Sequence, residues 1–187
     1  MYGYGMYMDS TWFIFVLPAL LLGLLAQGKV KSAYNKYSKQ NSDTGLTGAQ
    51  IARRILDRNG LHDVVIEQTA GQLTDHYDPR NRIMRLSNSI YSGSSVASMS
   101  VAAHEAGHAL QHADGYFPLI IRNNLAPIVN FGSKFVWVFI LLGFLISPFL
   151  IEVGIVLFLG VVLFQVITLP VELNASKRAL AQLEDGI

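Results

Sequence analysis

The stretch FVWVFILLGFLISPFLI at residues 135–151, followed after one acid by VGIVLFLGVVLFQVITLPV at 153–171, decides the fold. As helices rising about 1.5 Å per residue, these runs extend about 25 and 28 Å, close to the thickness of a bilayer's hydrocarbon layer. Ser147-Pro148 and Glu152 interrupt them, so they read as a transmembrane hairpin. A further charge-free stretch lies between Asp9 and Lys29, centred on Trp12 to Ala26. A cleaved signal peptide would need a basic flank and a small-residue cleavage site. The flank from Met1 to Asp9 has no Lys or Arg and no such site stands out after Leu25, so the stretch reads as a retained anchor. Three such runs argue against buried helices of a soluble protein. Lys134 and Glu152 are expected at positions where a charged head reaches the interface. Trp137, Tyr2, Tyr4 and Tyr7 suit interfacial positions.

Composition agrees. Hydrophobic residues make up 51% and charged residues 14% of the 187 residues, whereas soluble domains are about a quarter charged. With a net charge of +1 and no long basic block, a lipid bilayer is the expected partner and nucleic acid is not. There is no Cys, so disulfides and thiolate metal sites are excluded. Any metal must be held by His, Asp or Glu.

The basic residues Lys29, Lys31, Lys36, Lys39, Arg53 and Arg54 follow the first span and none precedes it. The positive-inside rule then puts the N-terminus outside and the polar region in the cytoplasm. The expected organisation is an anchor at 1–28, a cytoplasmic metal-site region at 29–130, a transmembrane hairpin at 131–170 and a cytoplasmic helix at 171–187. The fold class is a mainly α membrane protein with three transmembrane helices and a small α+β region. Within that region Thr47 caps a helix whose apolar stripe is Ile51, Ile55 and Leu56, and Gly60 closes it. Val64 to Gln68 and Ile83 to Leu86 are short strands flanking a turn-rich Thr74 to Pro79.

The alanine-rich segment from Ser98 to His112 predicts a helix that puts His104 and His108 one turn apart on one face. Two neutral imidazoles and a carboxylate suit zinc, with a fourth position for water. Glu105 is placed to take a proton from that water and pass it to a leaving amine. Gly107, lacking a side chain, lets another helix approach the metal face. His112 continues the series, but it lies about 12 Å along the helix from His104, too far to share one ion. Glu172 is the best third ligand, because two spans after His108 return the chain to the same side; Glu152 falls on the other side. His76 and Tyr77 are candidates to polarise the scissile carbonyl, against a reading in which that segment only makes turn hydrogen bonds. Arg178 is a further candidate for substrate or transition-state contact. No nucleophile elbow and no phosphate-binding glycine loop accompany these residues.

Several segments together resemble the YugP-type bacterial membrane zinc metallopeptidases. They are the N-terminal span, the run from Leu73 to Pro79, Leu86-Ser87, Val101 to Gln111 and Val171 to Ser176. The resemblance implies a membrane endopeptidase related to the gluzincins, with His104 and His108 as zinc ligands, Glu105 as catalytic acid/base and a protein or peptide substrate. It supports Glu172, since Glu-x-x-Ala is similar to the third-ligand helix of HtpX-like peptidases. Where those relatives often carry Asp after the Ala, a residue that can orient a ligand His, this chain has Ser176. By analogy with an edge strand that holds substrate in gluzincin-like enzymes, Arg82, Ile83, Met84, Arg85 and Leu86 are expected to line the substrate. The expected function is zinc-dependent hydrolysis of peptide bonds by a zinc-activated water at the cytoplasmic membrane surface. The alternative is a non-catalytic membrane scaffold with a structural metal site.

Overall fold

The computed structural model describes residues 10–186. The elements run α1 (Ser10–Tyr37), α2 (Gly48–Arg58), β1 (Val65–Thr69), β2 (His76–Asp78), β3 (Ile83–Ser87), α3 (Asn88–Tyr91), α4 (Val96–Ala113), α5 (Phe117–Leu145) and α6 (Pro148–Glu184). It is a mainly helical membrane protein with a small sheet. Among the described residues three helices are long and apolar enough to cross a bilayer: α1, α5 and α6. Their apolar side chains point outward, with Trp137 and Phe144 each 76% exposed, as lipid-facing residues do. Tyr2, Tyr4 and Tyr7 lie outside the described residues.

The hairpin turns where Ser147-Pro148 placed the break: α5 ends at Leu145 and α6 opens on Pro148, whose missing N–H costs nothing in a first helical turn. Three boundaries differ from the expectation. The first helix does not stop at residue 28, because α1 runs on to Tyr37 and carries Lys29, Lys31 and Lys36. The second span does not begin at Phe135, because α5 starts at Phe117; the 130/131 boundary falls inside it. Asn123, Asn124 and Asn130 had diluted the apolar signal there. α6 runs on through Pro170 to Glu184, so the third span and the segment carrying Glu172 are one continuous helix. The two helices pack closely through glycines. A Cβ on Gly143 would meet the Ile151 nitrogen at 2.7 Å, and one on Gly154 the Val136 carbonyl at 3.3 Å.

The interior sits between α2, the sheet and α4. Thr47 and Gln50 close a reciprocal cap at the start of α2: the Gln50 N–H donates to Thr47 Oγ1 (3.3 Å) and the Thr47 N–H to Gln50 Oε1 (2.9 Å). This fixes the helix phase so that Ile51, Ile55 and Leu56 are fully buried, in one cluster with Ala102, Ala103, Ala106 and Ala109 of α4. The small alanine face lets α2 and α4 approach, which holds α4 rigidly from behind.

The sheet has the order β1-β3-β2. β1 runs parallel to β3 and β2 antiparallel to it, with Tyr77 opposite Met84. Two corrections follow. The segment read as a turn contains strand β2, whose three residues are too short to show alternation in sequence. The turn proper comes after it, where Asp78 accepts from the Arg80 and Asn81 N–H groups and Arg82 adopts φ +54°. The segment Arg82 to Leu86 is not an edge strand. Ile83 to Arg85 pair on both sides, so their main-chain groups are already committed; β1 and β2 are the edge strands, and β2 is the one beside the cleft.

Candidate metal centre

Helix α4 is capped by Ser95, whose Oγ accepts the Ser98 N–H at 3.1 Å. Three turns on, it meets α6. A Cβ on Gly107 would come within 2.5 Å of the Ala175 carbonyl oxygen, so the two backbones touch there and only glycine fits. This close approach brings Glu172 to the two imidazoles. His104 Nε2 lies 3.2 Å and His108 Nε2 3.5 Å from Glu172 Oε2. The rings stand edge to face with centroids 4.8 Å apart.

These spacings bear on which ion the residues fit. One donor atom from each of His104, His108 and Glu172 falls in a group spanning at most 4.8 Å. Tetrahedral zinc with bonds of about 2.0–2.1 Å separates its donors by about 3.3 Å, close to both distances above. The donor set of two nitrogens and a carboxylate oxygen, with no sulfur, also suits zinc.

Hydrogen bonds set the ring orientations. The Gln111 side chain is fully buried, and its Nε2 donates to the Val171 carbonyl (2.8 Å) and to Asn174 Oδ1 (2.9 Å). Both amide hydrogens are thereby used, so Oε1 must face His108 Nδ1, 3.0 Å away. His108 Nδ1 then carries the proton, which leaves the Nε2 lone pair directed toward Glu172. His104 Nδ1 is 3.1 Å from Ser176 Oγ. The Ser176 hydroxyl thus makes the contact from α6 to this histidine.

Glu105 is only 8% exposed and lines the same cleft without joining the donor group. Burial raises its pKa, against the opposing pull of His108 and His104. For His108, burial acts to lower the pKa, but the hydrogen bond to Glu172 and the Glu105 charge outweigh it and the net shift is upward. The cleft holds about 240 Å³ and is bounded by β2 on one side and the start of α5 on the other.

His76 and Tyr77 line this cleft, His76 with Nδ1 2.8 Å from its neighbour Thr74's carbonyl. The Tyr77 hydroxyl is 3.0 Å from His112 Nδ1, which places His112 beside a cleft tyrosine and not in the donor group. Arg178 is elsewhere. Its Nε donates to Asn174 Oδ1 at 2.8 Å and its Nη1 pairs with Asp114, tying α6 to the end of α4. Six residues beyond Glu172, it is about 120° round the helix from it and does not line the cleft. The arginine that does line the cleft is Arg122 of α5, with Nη2 3.8 Å from Glu172 Oε1. Arg82 and Arg85 are also occupied, with Asp63 (2.6 Å) and Glu67 (3.2 Å).

Gln111, Asn174, Arg122 and Asn123 were not among the sequence candidates. Gln111 carried a usable signal, since it follows His108 by three residues on the same helix face. Arg122 carries none, because the apolar run that marks a span in the sequence begins only after residue 130.

Residues 12–187 match the model of a family described as "Putative neutral zinc metallopeptidase". The "Putative membrane protease YugP" of Bacillus subtilis (strain 168) is 53% identical over 169 residues, covering 89% of this chain and 75% of that protein. No solved structure matches significantly.

Proposed function

The chain belongs to the family described as "Putative neutral zinc metallopeptidase", and from that premise we propose that it is a membrane-embedded zinc endopeptidase. The observation that carries the reading is the convergence of one ring nitrogen from each of His104 and His108 and one carboxylate oxygen of Glu172 within 4.8 Å, beside a buried Glu105 that does not join them. His104, His108 and Glu172 are the residues that would hold the ion. The chemistry zinc supplies when bound is Lewis acidity, which polarises a carbonyl and brings a water's pKa toward about 7.

The chain's own residues do the rest. Glu105 takes a proton from the attacking water on its carboxylate and delivers it to the departing amine. Its burial, by raising its pKa, favours holding that proton between the two steps. Gln111 and Ser176 fix the histidine rings. The guanidinium of Arg122 and the side chains of His76 and Tyr77 border the space a scissile carbonyl would occupy. Strand β2, at the edge of the sheet, offers main-chain groups along which an extended substrate can lie. The lysines and arginines from Lys29 onward, at the end of α1 and beyond it, favour a cytoplasmic site with the N-terminus outside.

The test is Glu105→Gln. It is expected to retain zinc and to lose proteolysis of an unfolded protein by about 10²- to 10⁴-fold. Full activity in that variant would contradict the mechanism. A wild type that binds zinc, unfolds on chelation and cleaves no peptide would instead favour a structural metal site in a scaffold.

A further inference from the structure

Helix α5 carries polar groups where the bilayer should be most apolar. Gly132 lies against Leu157 of α6, and Gly154 of α6 against Val136 and Ile140 of α5. Lys134 is therefore level with the Leu157 region, about 14 Å along α6 from Pro148 and about 20 Å from Pro170. α6 is apolar across that whole length apart from Glu152, Gln165 and Thr168, so Lys134 sits well inside the layer that α6 crosses and not at the interface, where its place at the end of the apolar run 135–151 had put it. Its stem bridges only part of the distance to either boundary. Lys134 and Asn130 are both exposed, and among the described residues neither side chain makes a hydrogen bond or ion pair.

These residues form a row. Asn123, Pro127, Asn130 and Lys134 follow at spacings of four, three and four, which keeps them within about 60° of one helix face. Asn123 is part of the cleft wall, so the row starts at the cleft and descends about 16 Å beneath it. Pro127 adds to its polarity, because it has no N–H to give to the Asn123 carbonyl one turn earlier. A charge and an amide, Lys134 and Asn130, on the lipid side of a span are costly, and residues of that kind generally mark a path or a partner.

We propose that this face of α5 receives a membrane-embedded polypeptide segment and guides it to the cleft. The proposal rests on the peptidase reading of that cleft and names its substrate class. The chemistry favours a polypeptide over a lipid headgroup. A lipid headgroup stays in the interfacial layer, whereas the row lies well inside the span and offers both donors and acceptors at intervals. Those match the peptide groups of a span that begins to unwind, which otherwise lack partners in hydrocarbon. Lys134 complements a carboxylate on such a segment, and the row ends at the cleft.

The experiment uses the full chain, zinc-loaded, in lipid nanodiscs with two probes. One is a single-span test protein with one Asp midway along its span; the other is an unstructured soluble peptide with the same cleavage sequence. The variant Asn130→Leu with Lys134→Leu is expected to cut the membrane probe at least about tenfold more slowly and the soluble peptide at the wild-type rate. Lys134→Arg should restore the membrane probe. Equal loss on both probes, or no loss on either, overturns the proposal. Binding is read separately with a photocrosslinker at position 131, beside the row, in the Glu105→Gln background. An adduct with the membrane probe, weakened by Lys134→Leu and by Asp→Leu in the probe, is expected. Adducts with lipid alone or with a second copy of the chain overturn it. If the adduct forms but the wild type cuts neither probe, the peptidase reading fails and the docking face stands. If the soluble peptide is cut and no adduct forms, the docking face alone fails.

Discussion

Replacing Gln111 should loosen the metal site without touching a ligand. Gln111 is fully buried and makes three hydrogen bonds, one to His108 Nδ1 and two from its own amide to Val171 and Asn174. Gln111→Met keeps the volume and removes all three. The Nδ1–H of His108 is then buried without an acceptor, at about 1–3 kcal/mol, and the ring is free to turn its Nε2 away from Glu172. Lost support of a ligand histidine lowers metal affinity by about 10- to 100-fold, or about 1.4–2.8 kcal/mol. Gln111→Glu separates the two functions of the side chain. A carboxylate still accepts from His108 but cannot donate to Val171 or Asn174. It should hold zinc better than Gln111→Met while unfolding at lower temperature than the wild type. Competition with a chromophoric chelator measures the affinity, and thermal unfolding with and without zinc measures stability. Unchanged zinc affinity in Gln111→Met, with the protein folded, would refute the reasoning.

Four other outcomes follow from the geometry and the charges. Gly107→Ala should cost about 1–3 kcal/mol and weaken zinc binding, because its Cβ would meet the Ala175 carbonyl at 2.5 Å and part α4 from α6; thermal unfolding and metal content check this. Ligation needs a neutral imidazole, and in the metal-free protein the pKa of His108 is raised, so zinc affinity should start falling at a pH above the usual histidine value as the solution is acidified. The same shift acts oppositely on the metal-free fold. Its contribution is complete below about pH 6.5, the ordinary histidine value, and is lost as pH rises through the folded-state pKa, which melting curves with chelator present would reveal. Ser176→Ala should weaken zinc binding and Ser176→Asp strengthen it, since the serine hydroxyl is 3.1 Å from His104 Nδ1 and a carboxylate there is the stronger acceptor; chelator competition reads both.

Much of this arrangement could be read from the chain before the fold was known, for physical reasons that vary by element. The spans were legible because apolar length is nearly a sufficient signal in lipid, and α2 because its cap and stripe are both local. Glu172 could be placed near His104 and His108 by counting spans, although it lies far away in sequence. Strand β2 was illegible because a three-residue strand owes its existence to pairing with β3, which no local pattern encodes. The same pairing moved the edge of the sheet from β3 to β2. Arg178 and Arg122 were exchanged for a related reason. Which arginine faces the cleft depends on the phase of α6 and on how far α5 extends toward α4, and three asparagines hid that extension.

The central claim is a zinc site made by His104, His108 and Glu172, with Glu105 beside it as acid/base and not as ligand. X-ray absorption at the zinc edge on the metal-loaded protein, combined with zinc affinity, addresses it directly. The account predicts a shell containing two imidazole nitrogens and a carboxylate oxygen, a large loss of affinity in Glu172→Ala, and an unchanged spectrum in a proteolytically inactive Glu105→Gln. Wild-type affinity and an unaltered shell in Glu172→Ala, or loss of zinc in Glu105→Gln, would contradict it.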